Sequence, residues 1–132
     1  LLLSEINSDD SETIRISESD TRIETPFGTL FIDKVEAVLE TQKSVIYVDK
    51  NLLKFPLTIR KWEQGDVFYP LGMAGKKKVS KYFKDKKFSL LDKENTWLLC
   101  SDEAIVWVIN NRADNRFRVT DNTKTILKIE IK

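Results

Sequence analysis

The sequence predicts an α+β domain: a β-rich, mostly antiparallel sheet carrying one short lysine-rich amphipathic helix. Three observations predict it. Short runs that alternate apolar and polar residues are spread from residue 13 to residue 131. Turn-forming residues punctuate them, such as Gly28 and the Ser101-Asp102-Glu103 triplet. One stretch alone, residues 76–87, spaces its apolar residues as a helix does.

In chain order, Thr13-Ile14-Arg15-Ile16 alternates as a half-buried strand, and so does Thr29-Leu30-Phe31-Ile32-Asp33 after the break at Gly28. Ser44-Val45-Ile46-Tyr47-Val48 reads as a third strand, and Asp49-Lys50-Asn51-Leu52 as one turn of helix or a tight turn. Leu57-Thr58-Ile59-Arg60-Lys61-Trp62 alternates again, with Leu57 and Ile59 facing one way. Residues 96–100 and 104–109 form a hairpin about Ser101-Asp102-Glu103. The second arm, Ala104-Ile105-Val106-Trp107-Val108-Ile109, is apolar throughout, which predicts cover on both faces. Phe117-Arg118-Val119 and residues 125–131 are the closing strands, with no repeat and no low-complexity linker between elements.

In the helix, Val79, Tyr82 and Phe83 gather on one face, while Lys77, Lys81 and Lys84 fall on the opposite one. Seven lysines and one acid, Asp85, lie between Lys76 and Lys87, a local charge of +6 in a chain whose total is +1. Close lysine pairs on a helix repel by roughly a few tenths of a kcal/mol each, so stability alone does not explain the arrangement. Residues 1–40 carry ten acids against three bases, a net −7, and 41–132 carry +8. A cationic face on a nearly neutral chain attracts a polyanion, above all the phosphates of a nucleic acid. A solvated lysine surface is the plainer alternative.

Composition excludes much else. At 132 residues the chain suits one domain, with an acidic, strand-rich part over 1–55 and a second part over 56–132. No apolar run is long enough to span a bilayer, and Leu1-Leu2-Leu3 runs into Ser4-Glu5 too soon for a signal peptide. The first residue is not methionine, so a piece of a longer protein is expected. The absence of histidine removes Ser-His-Asp and Cys-His catalysis and His-containing metal sites. Cys100 is the only cysteine; its apolar run marks it as a buried small hydrophobe, and one free thiol fits a cytoplasmic protein. Gly75-Lys76 fails as a phosphate loop, because Pro70 and Lys77 stand where Gly and Ser or Thr are required. No carboxylate pair is marked for acid–base work, so a non-catalytic chain with no cofactor of its own is expected.

The loop before the helix combines Pro70, which fixes its own φ, with Gly72 and Gly75, which permit turns. Backbone N–H groups at the helix start are candidates for phosphate capture. A loop that simply needs glycine to reach the helix explains Gly72 and Gly75 as well.

Taken together, Ile59-Arg60, Gly65-Asp66, Phe68, Pro70-Leu71-Gly72-Met73, Gly75, Lys77-Lys78-Val79, Phe83-Lys84-Asp85-Lys86, Ile105-Val106-Trp107-Val108, Arg112, Asp114 and Arg116-Phe117 resemble the C-terminal domain of bacterial tRNA(Ile)-lysidine synthetases over residues 56–132. The resemblance implies a parent ligase that uses ATP and Mg to attach lysine to the wobble cytidine of a minor isoleucine tRNA. Its catalytic domain carries a Ser-Gly-Gly-x-Asp-Ser loop, absent here, where the four glycines at 28, 65, 72 and 75 include no adjacent pair. It also implies that this chain is the tRNA-binding appendage, gripping the acceptor-stem side. Lys77, Lys81 and Lys84 would then bind phosphates, with Lys76, Lys78 and Lys87 at the rim. Gly65, Asp66, Pro70, Gly72 and Gly75 would shape the loop. Arg112 and Arg116 would add phosphate contacts, or else pair internally with Asp114 or a strand neighbour. Trp97 and Trp107 read as core, and Trp62 as core or base-stacking. Val67 stands where relatives often carry Arg, Lys81 where an acid is frequent, and Asn110 where Gly is frequent; Asn tolerates the left-handed turn. The competing role is assembly, with the lysine face docked on the parent's catalytic domain or on a second subunit in a homodimer.

Overall fold

The computed structural model describes residues 13–39 and 42–132. The opening Leu1-Leu2-Leu3-Ser4-Glu5 and the acids Asp9, Asp10, Glu12 and Glu40 lie outside the described residues. Strands β1 (Ile14–Ile16), β5 (Leu57–Lys61), β8 (Trp97–Ser101), β9 (Ala104–Val108) and β10 (Arg112–Ala113) form one sheet in the order β1-β5-β8-β9-β10. Strands β2 (Arg22–Thr25), β3 (Gly28–Val35), β4 (Val45–Asp49) and β11 (Ile126–Ile131) form a second, in the order β2-β3-β11-β4. A ribbon of β6 (Val67–Phe68) and β7 (Lys77–Lys78) leads into helix α1 (Val79–Asp85), followed by α2 (Leu90–Glu94). Every strand pairing is antiparallel, as the alternating runs predicted.

The two large sheets share one core. Ile16, Leu57, Ile59, Leu99 and Trp107 from the first pack with Leu30, Ile32, Ile46, Val48 and Ile129 from the second. Strand β11 is central in its sheet, pairing Ile129 with Ile32 of β3 and with Ile46 of β4. The acidic N-terminal part and the part bearing the motif are therefore interleaved, since β1 joins β5 and β11 joins β3 and β4.

The β8–β9 hairpin is buried on both faces, as its unbroken apolar run predicted. Trp97 and Leu99 face the shared core, with Trp97 stacked on Phe27 at 5.2 Å between ring centroids. Leu98, Cys100, Ile105 and Val108 face the other way, against Phe68, Val79, Tyr82 and Phe83. The register jumps from Leu99–Trp107 to Cys100–Ile105, which leaves Val106 as an extra residue in β9. This bulge sends both Val106 and Trp107 to the shared core and frees the Val106 carbonyl to accept from the Asp114 N–H at 2.8 Å.

Several elements differ from the sequence expectation. The lysine helix is seven residues, two turns rather than three; Lys76 precedes the ribbon and Lys77 and Lys78 form β7. A second helix, α2, follows it, opened by a capping box in which Ser89 and Asp92 satisfy each other's backbone N–H groups. Residues 117–119 are not a strand: Asp114 caps a 3-10 turn over Asn115–Phe117, and Arg118 makes only an isolated bridge to Val48. Lys50–Leu52 is a 3-10 turn capped by Asp49, the helical turn expected there. Among the described residues no helix is long and apolar enough to cross a membrane.

Cys100 lies beneath α1, and burial pushes its thiol up to about 11. Native chain at pH 8 should therefore resist a thiol reagent that consumes the unfolded chain at once. The folded thiol titrates above its unfolded value of 9.0, so its share of stability is intact below pH 9 and lost on the way to about 11. Cys100→Ala should remove that share of the alkaline loss in a pH series of denaturation midpoints. Rapid labelling of native protein would show that the second core is open.

Candidate nucleic-acid interface

Helix α1 is held by its apolar face. Val79 and Phe83 are fully buried and Tyr82 nearly so. Phe83 meets the Trp62 ring edge-on at 5.0 Å, and Tyr82 meets Phe68 in the same way at 5.5 Å. Trp62 is further fixed by its indole N–H, which donates to the Lys93 carbonyl at 3.1 Å, so its place is in this second core. The Val79 N–H donates to the Asp66 carbonyl at 2.9 Å and is spent inside the fold.

The helix ends in a left-handed residue. The Lys87 N–H donates to the Lys84 carbonyl at 3.0 Å and the Phe88 N–H to the Phe83 carbonyl at 2.9 Å, the paired bonds of a Schellman motif. Phe88 stacks on Phe83 at 4.9 Å, the apolar contact that accompanies that motif. The residue in the left-handed position is Lys87, with φ of 60°, where glycine is usual. This position carries a cation although glycine would be less strained.

The lysines divide into two groups. Lys77 and Lys81 both bond the Asp85 carboxylate, Lys81 at 3.3 Å, and these bonds, Lys77 first, hold Asp85 below the usual carboxylate range. The Lys77 side chain is only 21% exposed and lies on β7, so it is not on a helix face opposite Tyr82. Lys76, Lys78, Lys84 and Lys87 are exposed and make no ion pair among the described residues. Lys86 lies 5.8 Å from the centre of the Tyr82 ring.

The loop is tied to β10 and the turn after it. Asp114, 1% exposed, accepts from the Tyr69 N–H at 2.8 Å and the Arg116 N–H at 2.8 Å. It also pairs with the Arg116 guanidinium at 3.0 Å on both oxygens. That guanidinium lies over the Tyr69 ring at 4.3 Å. Arg112 donates to the Leu71 carbonyl at 2.8 Å, and the Leu71 N–H donates to Ala113 at 2.9 Å. Both arginines therefore have internal partners, and Arg116 rather than Arg112 takes Asp114. Arg112 also lies beside the Tyr82 hydroxyl: burial raises the Tyr82 phenol, while Arg112 and Lys77 act against that rise.

Asp66 has a comparable task at the start of the loop. It accepts from Arg60 at 2.9 and 3.0 Å and from the Glu63 N–H at 2.7 Å, closing the turn that contains Gly65. Gly72 and Gly75 have φ of 84° and 76°, and a Cβ at either would meet nothing within 4 Å, so backbone conformation alone calls for glycine there. Asn110, at φ 64°, adopts the left-handed turn expected of it. The structure thus gathers the predicted lysines about α1, while Arg112, Arg116, Asp66 and Pro70 hold the loop beside them. Sequence reasoning passed over Asp114 as the organising carboxylate and Ser89 as a helix cap. The Ser-x-x-Asp spacing at 89–92 was the available signal for the cap.

Residues 57–131 match the family model described as the TilS substrate C-terminal domain. A tRNA(Ile)-lysidine synthase from Parabacteroides distasonis is 51% identical over 105 residues, 80% of this chain and 24% of that protein. One from Bacteroides thetaiotaomicron is 44% identical over 90 residues, 68% of this chain and 21% of that protein. The chain thus spans about a quarter or less of the length of these curated relatives. A crystal structure of a TilS C-terminal domain superposes with a TM-score of 0.72 at 19% identity, covering 90% of this chain and 97% of that one.

Two substitutions check these assignments by thermal or urea unfolding. Asp114→Ala strands the part-buried N–H groups of Tyr69 and Arg116 and leaves the Arg116 guanidinium unpaired, and should cost about 3 kcal/mol. A loss below about 1 kcal/mol would show that the loop is held otherwise. Lys87→Gly relieves the left-handed strain and should stabilise by about 1 kcal/mol, raising the midpoint by roughly 3–5 °C. A lower midpoint would mean that the Lys87 side chain contributes to packing.

Proposed function

This chain belongs to the TilS substrate C-terminal domain family, and on that premise we propose that it grips the body of a minor isoleucine tRNA for a ligase that attaches lysine to the wobble cytidine. The ATP-driven chemistry is proposed for the remainder of such an enzyme. This chain offers no histidine, and its single thiol is buried. Its part is positioning: it holds the tRNA by its acceptor-stem side so that the anticodon loop reaches the reacting groups.

The observation that carries this reading is the set of open lysines around α1. Lys76, Lys78, Lys84 and Lys87 stand exposed without acidic partners among the described residues. Lys77 and Lys81 are gathered beside them by Asp85. A helix buried against β8 and β9 presents these charges at fixed spacing, which suits the phosphates of an A-form stem, recognised by shape and backbone rather than by base edges. Lys87 strengthens the reading, because at that position the fold accepts backbone strain and retains a cation.

Binding of the chain to the minor isoleucine tRNA and to an acceptor-stem duplex, followed across salt concentrations, tests the proposal. Each phosphate neutralised contributes about 0.9 to the log–log salt slope on duplex DNA, and a similar scale is expected here. Lys78→Ala/Lys84→Ala/Lys87→Ala should reduce the slope by about 2–3. An unchanged slope would move the contact elsewhere. Absence of binding at low salt, with a salt-stable dimer in sedimentation, would make the lysine face an assembly surface.

A further inference from the structure

We propose that the groove where the edges of the two large sheets meet binds an unstacked nucleotide that continues past the end of an RNA duplex held on α1. This rests on the RNA-binding reading above and deepens it. The groove has a volume of about 470 Å³ and runs between β4, the edge of one sheet, and β10, the edge of the other. That is room for a base with its sugar and phosphate, since small-ligand sites occupy roughly 300–1,000 Å³.

Its lining has the chemistry of a nucleotide site. Lys43, Arg112 and Arg118 contribute three cations, and among the described residues no carboxylate lines it, in a chain with 21 acids against 22 bases. The remaining lining is mostly apolar, with the aromatic ring of Tyr47 and the Asn111 amide among it. Leu71 forms one wall and is 40% exposed. An anion alone would need only the cations; an apolar wall beside an aromatic ring and an amide suits a planar heteroaromatic base bearing a phosphate. An apolar peptide would not account for the three cations.

Position supports the same assignment. Arg112 lines the groove and also lies beside the Tyr82 hydroxyl, where the charge of Lys77 is felt as well. Lys77 and Lys81 meet at Asp85. A line of cations therefore runs from α1 through Lys77 to Arg112 and into the groove. Leu71 belongs to the glycine-bearing loop, whose path is fixed by the Arg112 and Ala113 contacts. The loop thus supplies a wall of the groove as well as the approach to the helix.

The test compares three RNAs of one sequence: a blunt duplex, the duplex with four unpaired nucleotides, and the duplex with a four-residue abasic extension. Unpaired nucleotides should tighten binding about tenfold over the blunt duplex, and the abasic extension by much less. Leu71→Glu and Lys43→Glu, at exposed positions, should erase that gain and leave blunt-duplex affinity within about twofold. Equal binding of the base-bearing and abasic extensions, or a gain that survives Leu71→Glu, would overturn the proposal. A single-stranded tetranucleotide tests the groove without the duplex. Amide shifts at Asn111 and Ala113, lost in Leu71→Glu, support the site even if the blunt duplex fails to bind and the lysine-face reading falls. Absence of those shifts, or their reproduction by an apolar peptide that displaces the tetranucleotide, overturns the site whatever the duplex does.

Discussion

The covering of one hairpin on both faces is the constraint on which the rest of this structure depends. Strands β8 and β9 hold Leu99 and Trp107 in the core between the sheets, and Leu98, Cys100 and Val108 in the core beneath α1. Burying a side chain of this size contributes about 1.5–3 kcal/mol, so each face secures what packs on it. A two-turn helix with seven lysines in and around it would not persist alone in water. It persists because Val79, Tyr82 and Phe83 have an apolar floor. The cationic face is rigid to the extent that the hairpin is.

Two carboxylates, Asp114 buried and Asp66 partly buried, extend that rigidity to the surface. Asp114 fixes Tyr69 and Arg116, and Asp66 fixes Arg60 and the turn at Glu63. Between them the loop is anchored at both ends, with Arg112 clasping its middle through the Leu71 carbonyl. Three residues marked in the sequence as phosphate or loop candidates thus owe their place to hydrogen bonds made within the chain. The charges of Arg116 and Arg60 are offset by their aspartates, whereas Arg112, bonded to a carbonyl, still adds positive potential beside the lysines.

Much of this was legible in the sequence, and the illegible parts share a cause. Alternation located β1, β3 and β5, because each has one face in the shared core and its side chains repeat every two residues, while short apolar-rich runs located β4, β8, β9 and β11. Helical spacing found Val79, Tyr82 and Phe83 for the same reason. The two-residue strands β6, β7 and β10 are too short for a period to emerge, and their pairing is set by the loop that Asp114 anchors. Strand β2 was passed over because Arg22 and Glu24 leave little apolar signal in a strand at the sheet edge. Residues 117–119 looked strand-like by composition, but the Asp114 cap turned them into a 3-10 end. The lysine cluster was plain from charge alone. Its division into open and paired lysines was not, because that depends on where Asp85 meets Lys77 across the start of the helix.

The central place of β11 sets an order of events during synthesis. Strands β2, β3 and β4 leave the ribosome before β11, yet β3 and β4 meet only through β11. Between the end of β4 at Asp49 and the start of β11 at Ile126 lies more than half of the chain. At about 5–20 residues per second, that interval is roughly 4–15 s of translation during which β3 and β4 expose unpaired edges and apolar faces. The charged residues of β3, Asp33 and Lys34, sit on that waiting strand, where charge discourages a neighbouring nascent chain from pairing in the place reserved for β11. Of the four strands of that sheet, the one made latest is the one that joins the others.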